Sequence, residues 1–69
     1  MKFIKCFDKL NEIVDNFIKE IYTESSIKAD RNNVEVAFNE NQILLVYISD
    51  NNVFEQGVNI ENDELVLIN

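Results

Sequence analysis

The chain has 69 residues, with 13 acids against 6 cations, no histidine and a single cysteine, for a formal charge of -7. Its hydrophobic fraction of 46% excludes a disordered chain, no stretch approaches the ~20 apolar residues that span a bilayer, and Cys6 has no second cysteine to pair with. One domain over residues 1–69 is expected, and at this size it buries only roughly 60% of its unfolded surface, so its core must be packed economically.

The N-terminal segment reads as one amphipathic helix from about Lys2 to about Thr23. Phe3, Phe7, Leu10, Val14, Phe17 and Ile21 recur at alternating spacings of four and three, which places them on one face. Ile4, Cys6, Ile13 and Ile18 widen that stripe. Lys5, Asp8, Lys9, Glu12, Asp15, Asn16, Lys19 and Glu20 fill the other side. Of the i,i+4 charge pairs there, Lys5–Lys9 and Asp8–Glu12 repel and only Asp15 with Lys19 attracts, so the apolar stripe carries the helix. In this start, MKFIKCF, lysine breaks up the apolar run that a secretion signal needs, and the lone thiol suits a reducing compartment, so a cytoplasmic setting is expected. A polar connection runs from Thr23 to about Asn33, with an extra turn expected around Ile27 to Asp30.

From Val34 the apolar period becomes two. Three turn signals follow, at Glu40-Asn41, Asp50-Asn51 and Asn62-Asp63, where Asn and Asp tolerate the positive φ of two-residue hairpin loops. Such loops pair Phe38 with Ile43, Val36 with Leu45 and Val34 with Tyr47; then Ile48 with Val53 and Tyr47 with Phe54; then Ile60 with Leu65 and Val58 with Leu67. The three registers agree on one face, made of Val34, Val36, Phe38, Ile43, Leu45, Tyr47, Phe54, Val58, Ile60, Leu65 and Leu67, with Gln56 its only polar member. A slip of one residue at any turn destroys that agreement. The expected fold is therefore α+β: one N-terminal helix packed on a four-stranded antiparallel meander covering about residues 34–68. Gly57, the only glycine, falls mid-strand and is expected to mark a bulge.

The same registers send Glu35, Ala37, Leu44, Val46, Ile48, Val53, Glu55, Gly57, Asn59, Val66 and Ile68 to the other face. A single helix covers one face only, and an antiparallel sheet with a wet face normally alternates cleanly between apolar and polar. Leu44, Val46, Ile48, Val66 and Ile68 are thus left without cover, and a contiguous apolar patch marks an interface. Charge accompanies it. From Asn32 onward there is no Lys, Arg or His, yet there are seven carboxylates: Glu35, Glu40, Asp50, Glu55, Glu61, Asp63 and Glu64. The first 31 residues balance six cations with six acids.

Catalytic signals are missing. Without histidine the usual general base and the commonest metal ligand are gone. One glycine cannot build a phosphate loop, and neither Asp50-Asn51-Asn52 nor the Asn59, Glu61, Asp63 series has the Gly and closing Glu of a calcium loop. A non-enzymatic protein without cofactor or metal is expected. Nucleic acid is an unsuitable direct partner for the acidic half. The residues expected to bind a partner are Glu35, Leu44, Val46, Ile48, Glu55, Glu61, Asp63, Glu64, Val66 and Ile68. An apolar centre with an acidic rim suits a basic protein, most simply one that itself binds nucleic acid. This points to a phage or mobile-element inhibitor of host defence, in the manner of anti-CRISPR proteins, with carboxylates in place of phosphates. The alternative is a structural module, a homodimer or a small subunit that buries the same face, with the acids serving solubility. A homodimer is expected, resting on the same uncovered outer face, which serves either as the dimer interface or as the partner site.

Overall fold

The computed structural model describes residues 2–68, with side chains from Asp8 onward. Helix α1 (Lys2–Ser25) is followed by a single 3-10 turn (Arg31–Asn33) and then by β1 (Glu35–Phe38), β2 (Gln42–Ser49), β3 (Asn52–Glu61) and β4 (Glu64–Ile68). The strands form one antiparallel sheet in the order β1-β2-β3-β4, an α+β architecture with a simple meander. The side chains of Phe3, Ile4, Cys6 and Phe7, expected on the helix stripe, lie outside the described residues.

The core forms where the two periodicities meet. Ile13, Val14, Phe17 and Ile21 of α1 are buried against Ile43, Leu45 and Tyr47 of β2, Val58 of β3 and Leu65 of β4. Leu10, Ile18, Ile27, Ala29, Val34, Phe54 and Ile60 pack around them. Tyr47 and Phe54 are cross-strand neighbours with ring centroids 6.4 Å apart, inside the range for aromatic pairs. Gln56, the polar member of this face, is half-buried and satisfied: its Nε2 donates to the carbonyls of Gly57 at 2.8 Å and Ile68 at 3.0 Å.

All three expected registers are present. Phe38 faces Ile43 and Val36 faces Leu45; Tyr47 faces Phe54 and Ile48 faces Val53; Ile60 faces Leu65 and Val58 faces Leu67. The turns differ in how they achieve this. Asn62 and Asp63 both sit at positive φ, at 50° and 65°, as a type I′ turn requires. In the second turn only Asp50 does, at 49°. In the first neither residue does. There Asn39 Oδ1 accepts from the Asn41 N–H at 3.3 Å, and the Asn39 N–H donates to the Gln42 carbonyl at 2.9 Å. A side-chain acceptor thus shapes a turn that the left-handed conformation does not.

Several expectations are corrected. The helix runs to Ser25, where side-chain hydroxyls extend its end: Thr23 Oγ1 donates to the Lys19 carbonyl at 2.9 Å, and Ser25 Oγ both donates to the Ile21 carbonyl at 2.5 Å and accepts from the Ile27 N–H at 3.2 Å. Ser26 then leaves the helix at φ 61°. The extra turn lies at Arg31–Asn33 rather than at 27–30, because Asp30 caps it by accepting from the Asn32 N–H at 2.9 Å. Val34 ends that turn with its N–H on the Arg31 carbonyl, so β1 begins at Glu35 and the Val34–Tyr47 pair does not form. Arg31 donates to Asp15 and Asn11, so the partner of Asp15 is Arg31 across the chain, not Lys19. Gly57 makes no bulge. The β2–β3 ladder runs unbroken through it, and a Cβ there would meet Ile68 Cδ1 at 3.1 Å. The missing side chain gives Ile68 room to lie across the strand.

The inner face is also less covered than its pattern implies. Val36, Phe38 and Leu67 share it with the core residues, yet they remain 37%, 67% and 47% exposed.

Candidate functional site

The sheet face opposite α1 can be read row by row from the registers. At its centre Ala37, Leu44, Gly57 and Ile68 lie side by side across all four strands. One row to one side, Gln42, Asn59 and Val66 are neighbours, and the Gln42 Nε2 donates to Asn59 Oδ1 at 3.1 Å. Beyond them Glu61 faces Glu64. On the other side of the centre Glu35, Val46 and Glu55 form a row, followed by Ile48 and Val53 at the tip of the β2–β3 hairpin.

Nothing within the described residues covers this face. Leu44, Ile48, Val53, Val66 and Ile68 are all exposed large apolar side chains. Val46 is only half-buried, although it is central, because its row mates Glu35 and Glu55 reach into solvent on either side. Strand spacing sets the dimensions. The Glu35 and Glu55 backbones are two strand spacings apart, ~10 Å, and Glu55 and Glu61 are six residues apart on β3, ~20 Å. The strands supply no cation, and every lysine and arginine belongs to α1 or to the connection after it. The sheet's outer layer is therefore of one sign, with an aliphatic track that passes between Glu35 and Glu55 and ends near Glu61 and Glu64.

Nine of the ten residues expected at the site lie on this face: Glu35, Leu44, Val46, Ile48, Glu55, Glu61, Glu64, Val66 and Ile68. Asp63 sits in the β3–β4 turn beside Glu61 and Glu64, at the rim. Val53, Gln42 and Asn59 belong to the surface as well and extend it at both ends. Side-chain parity already places Val53 and Asn59 on this face, and a step of two residues from Leu44 adds Gln42. The Glu61–Glu64 pair is a directly opposed like-charge pair, an arrangement that costs stability in an isolated sheet.

Among the described residues there is no group of three or more Cys, Asp or Glu side chains placed to hold a metal ion, and no helix long and apolar enough to cross a membrane. No family model, curated protein or solved structure matches this chain.

Proposed function

We propose that this is a non-enzymatic cytoplasmic protein that binds a basic, nucleic-acid-binding protein through the outer sheet face and inhibits it, in the manner of a phage or mobile-element inhibitor of host defence such as an anti-CRISPR protein. The observation that carries the reading is the composition of that face: the exposed Leu44, Ile48, Val66 and Ile68 with the half-buried Val46 form a track that passes between Glu35 and Glu55 and meets Glu61 and Glu64 at one end. Desolvating the aliphatic track supplies affinity, and the carboxylates select a partner with arginines or lysines around an apolar spot.

Charge density favours one of two forms of inhibition. A DNA duplex carries one charge per ~1.7 Å of axis, so ~20 Å holds about twelve. The face carries four carboxylates over the same ~20 Å. That is too sparse to replace phosphates one for one. It supports an apolar anchor with an acidic rim that covers part of a nucleic-acid site, rather than a full imitation of the duplex.

The experiment uses the chain as bait in a bacterial lysate, beside a Val46→Lys variant. Lysine at 46 stands between Glu35 and Glu55 in the row, so it cancels the local charge without unfolding the sheet. The expected result is a captured basic nuclease or nucleic-acid-binding protein whose nucleic-acid binding the wild-type chain blocks and whose capture Val46→Lys loses. Capture of the same protein by both baits, or capture without any effect on nucleic-acid binding, refutes the reading.

A further inference from the structure

The two edges of the sheet are unlike. β1 is only four residues long and begins with Glu35. β4, after Glu64, reads Leu65-Val66-Leu67-Ile68, and the last three are exposed large apolar residues. Natural sheets protect an edge strand with lysine, proline, a bulge or a covering element. β4 has no lysine or proline, its ladder with β3 is regular from Glu64 to Ile68, and among the described residues no strand or loop backbone pairs with its outer side.

The hairpin fixes which backbone groups that edge offers. A two-residue loop closes on a hydrogen-bonded pair, here Glu61 and Glu64. Alternation then turns the N–H and C=O of Glu64, Val66 and Ile68 toward β3, and those of Leu65 and Leu67 outward.

We propose that β4 pairs antiparallel with β4 of a second copy, about a two-fold axis at Val66, joining two four-stranded sheets into one of eight. In this register Leu65 exchanges both its hydrogen bonds with Leu67 of the second copy, and Leu67 with Leu65, so every outward group on both strands is used. A shift of two residues in either direction takes one leucine of each strand off its counterpart. Charge also selects this arrangement. It sets Glu64 opposite Ile68 of the second copy, with the two copies of Glu64 at opposite ends. Stacking the outer faces on one another would instead press Glu35, Glu55, Glu61 and Glu64 against their own copies in a molecule of charge -7. On the helix side, the exposed Leu67 gains Leu65 of the second copy as a cross-strand neighbour. Both outer faces stay open in the joined sheet, so the dimer stands independently of the inhibitor reading and the two fail separately.

Cysteine crosslinking in the purified chain tests this, in a Cys6→Ser background. At the axis Val66 faces itself in a non-hydrogen-bonded pair, with Cα atoms ~4.5 Å apart, within disulfide reach. Val66→Cys should oxidise to a covalent dimer, while Val53→Cys, on the same face and 58% exposed, should form no disulfide-linked dimer. Sedimentation should show a wild-type dimer that Leu67→Pro converts to a folded monomer, since the Leu67 N–H points away from β3 and proline there removes no bond within the chain. A wild-type monomer at the highest soluble concentration overturns the proposal. So does crosslinking through Val53→Cys in place of Val66→Cys, or a dimer that persists in Leu67→Pro.

Discussion

Phe17 and Phe38 are the same side chain in opposite environments, and truncating each to alanine separates packing from composition. Phe17 is 5% exposed and sits in the cluster that joins α1 to β2, β3 and β4. Removing a buried aromatic costs ~3–5 kcal/mol, the lost transfer energy plus the cavity left behind. Phe38 is 67% exposed. Full burial of such a side chain is worth ~1.5–3 kcal/mol, so the covered third accounts for ~0.5–1 kcal/mol. At ~0.05–0.15 kcal/mol per residue the whole domain holds only ~3–10 kcal/mol. Phe17→Ala therefore removes most of the stability, while Phe38→Ala lowers the melting temperature by ~2–8 °C, at ~4–8 °C per kcal/mol for a domain of this size. Urea and thermal unfolding followed by circular dichroism measure both. If Phe17→Ala does not fold, Phe17→Leu keeps most of the volume and should cost ~1–2 kcal/mol with a measurable transition. Equal losses for Phe17→Ala and Phe38→Ala, or an unchanged melting point for Phe17→Ala, refute this packing of helix on sheet.

Four further outcomes are expected. Asn62→Ala, at φ 50°, should lower the urea midpoint by the equivalent of ~1 kcal/mol, because alanine tolerates the left-handed region poorly; Asn51→Ala, in a turn where only Asp50 is left-handed, should change it little. Gly57→Ala sets a Cβ 3.1 Å from Ile68 Cδ1, 3.7 Å from its Cγ1 and 3.5 Å from its Cβ; with the exposed Ile68 shifting by a few tenths of an ångström, the change should be neutral or stabilising by up to ~1 kcal/mol through the unfolded chain, and a loss in the same titration means that Ile68 cannot give way. Glu64→Lys turns the repulsive pair with Glu61 into an attractive one and should stabilise the chain by ~0.2–1 kcal/mol at low salt, fading as salt rises. Once a basic partner is in hand, reversing Glu55 and Glu61 together should slow association at low salt much more than reversing Asp8 and Glu12, which share their helix with lysines; stopped-flow rates at two salt concentrations decide it, and a larger effect from the helix pair moves the binding surface to α1.

The sequence alone determined the strand pairing and the division of residues between the two faces of the sheet. Both are local properties: a two-residue loop fixes which residues face each other, and side-chain parity carries that assignment along each strand. That is why Glu35, Val46 and Glu55 could be placed in one row without any knowledge of the helix. Which inner-face residues are dry is not local. An α-helix with its side chains is ~10–12 Å across, whereas the outer strands of a four-stranded sheet are ~14 Å apart. One helix cannot cover that width, and α1 lies over β2, β3 and the buried Leu65 of β4 while every residue of β1 stays exposed. Leu45 and Val58 are fully buried and Phe38 is not, although all three obey one alternation. The same holds for Gly57 and Arg31. A lone mid-strand glycine is compatible with a bulge or with a neighbour's side chain, and only the position of Ile68 distinguishes them. The partner of Asp15 lies one turn along the helix or across the chain according to where the connection returns, and the cap at Asp30 brings back Arg31. Periodicity assigns a residue to a face; the docking of one element on another, set by element widths and loop paths, decides what that face meets.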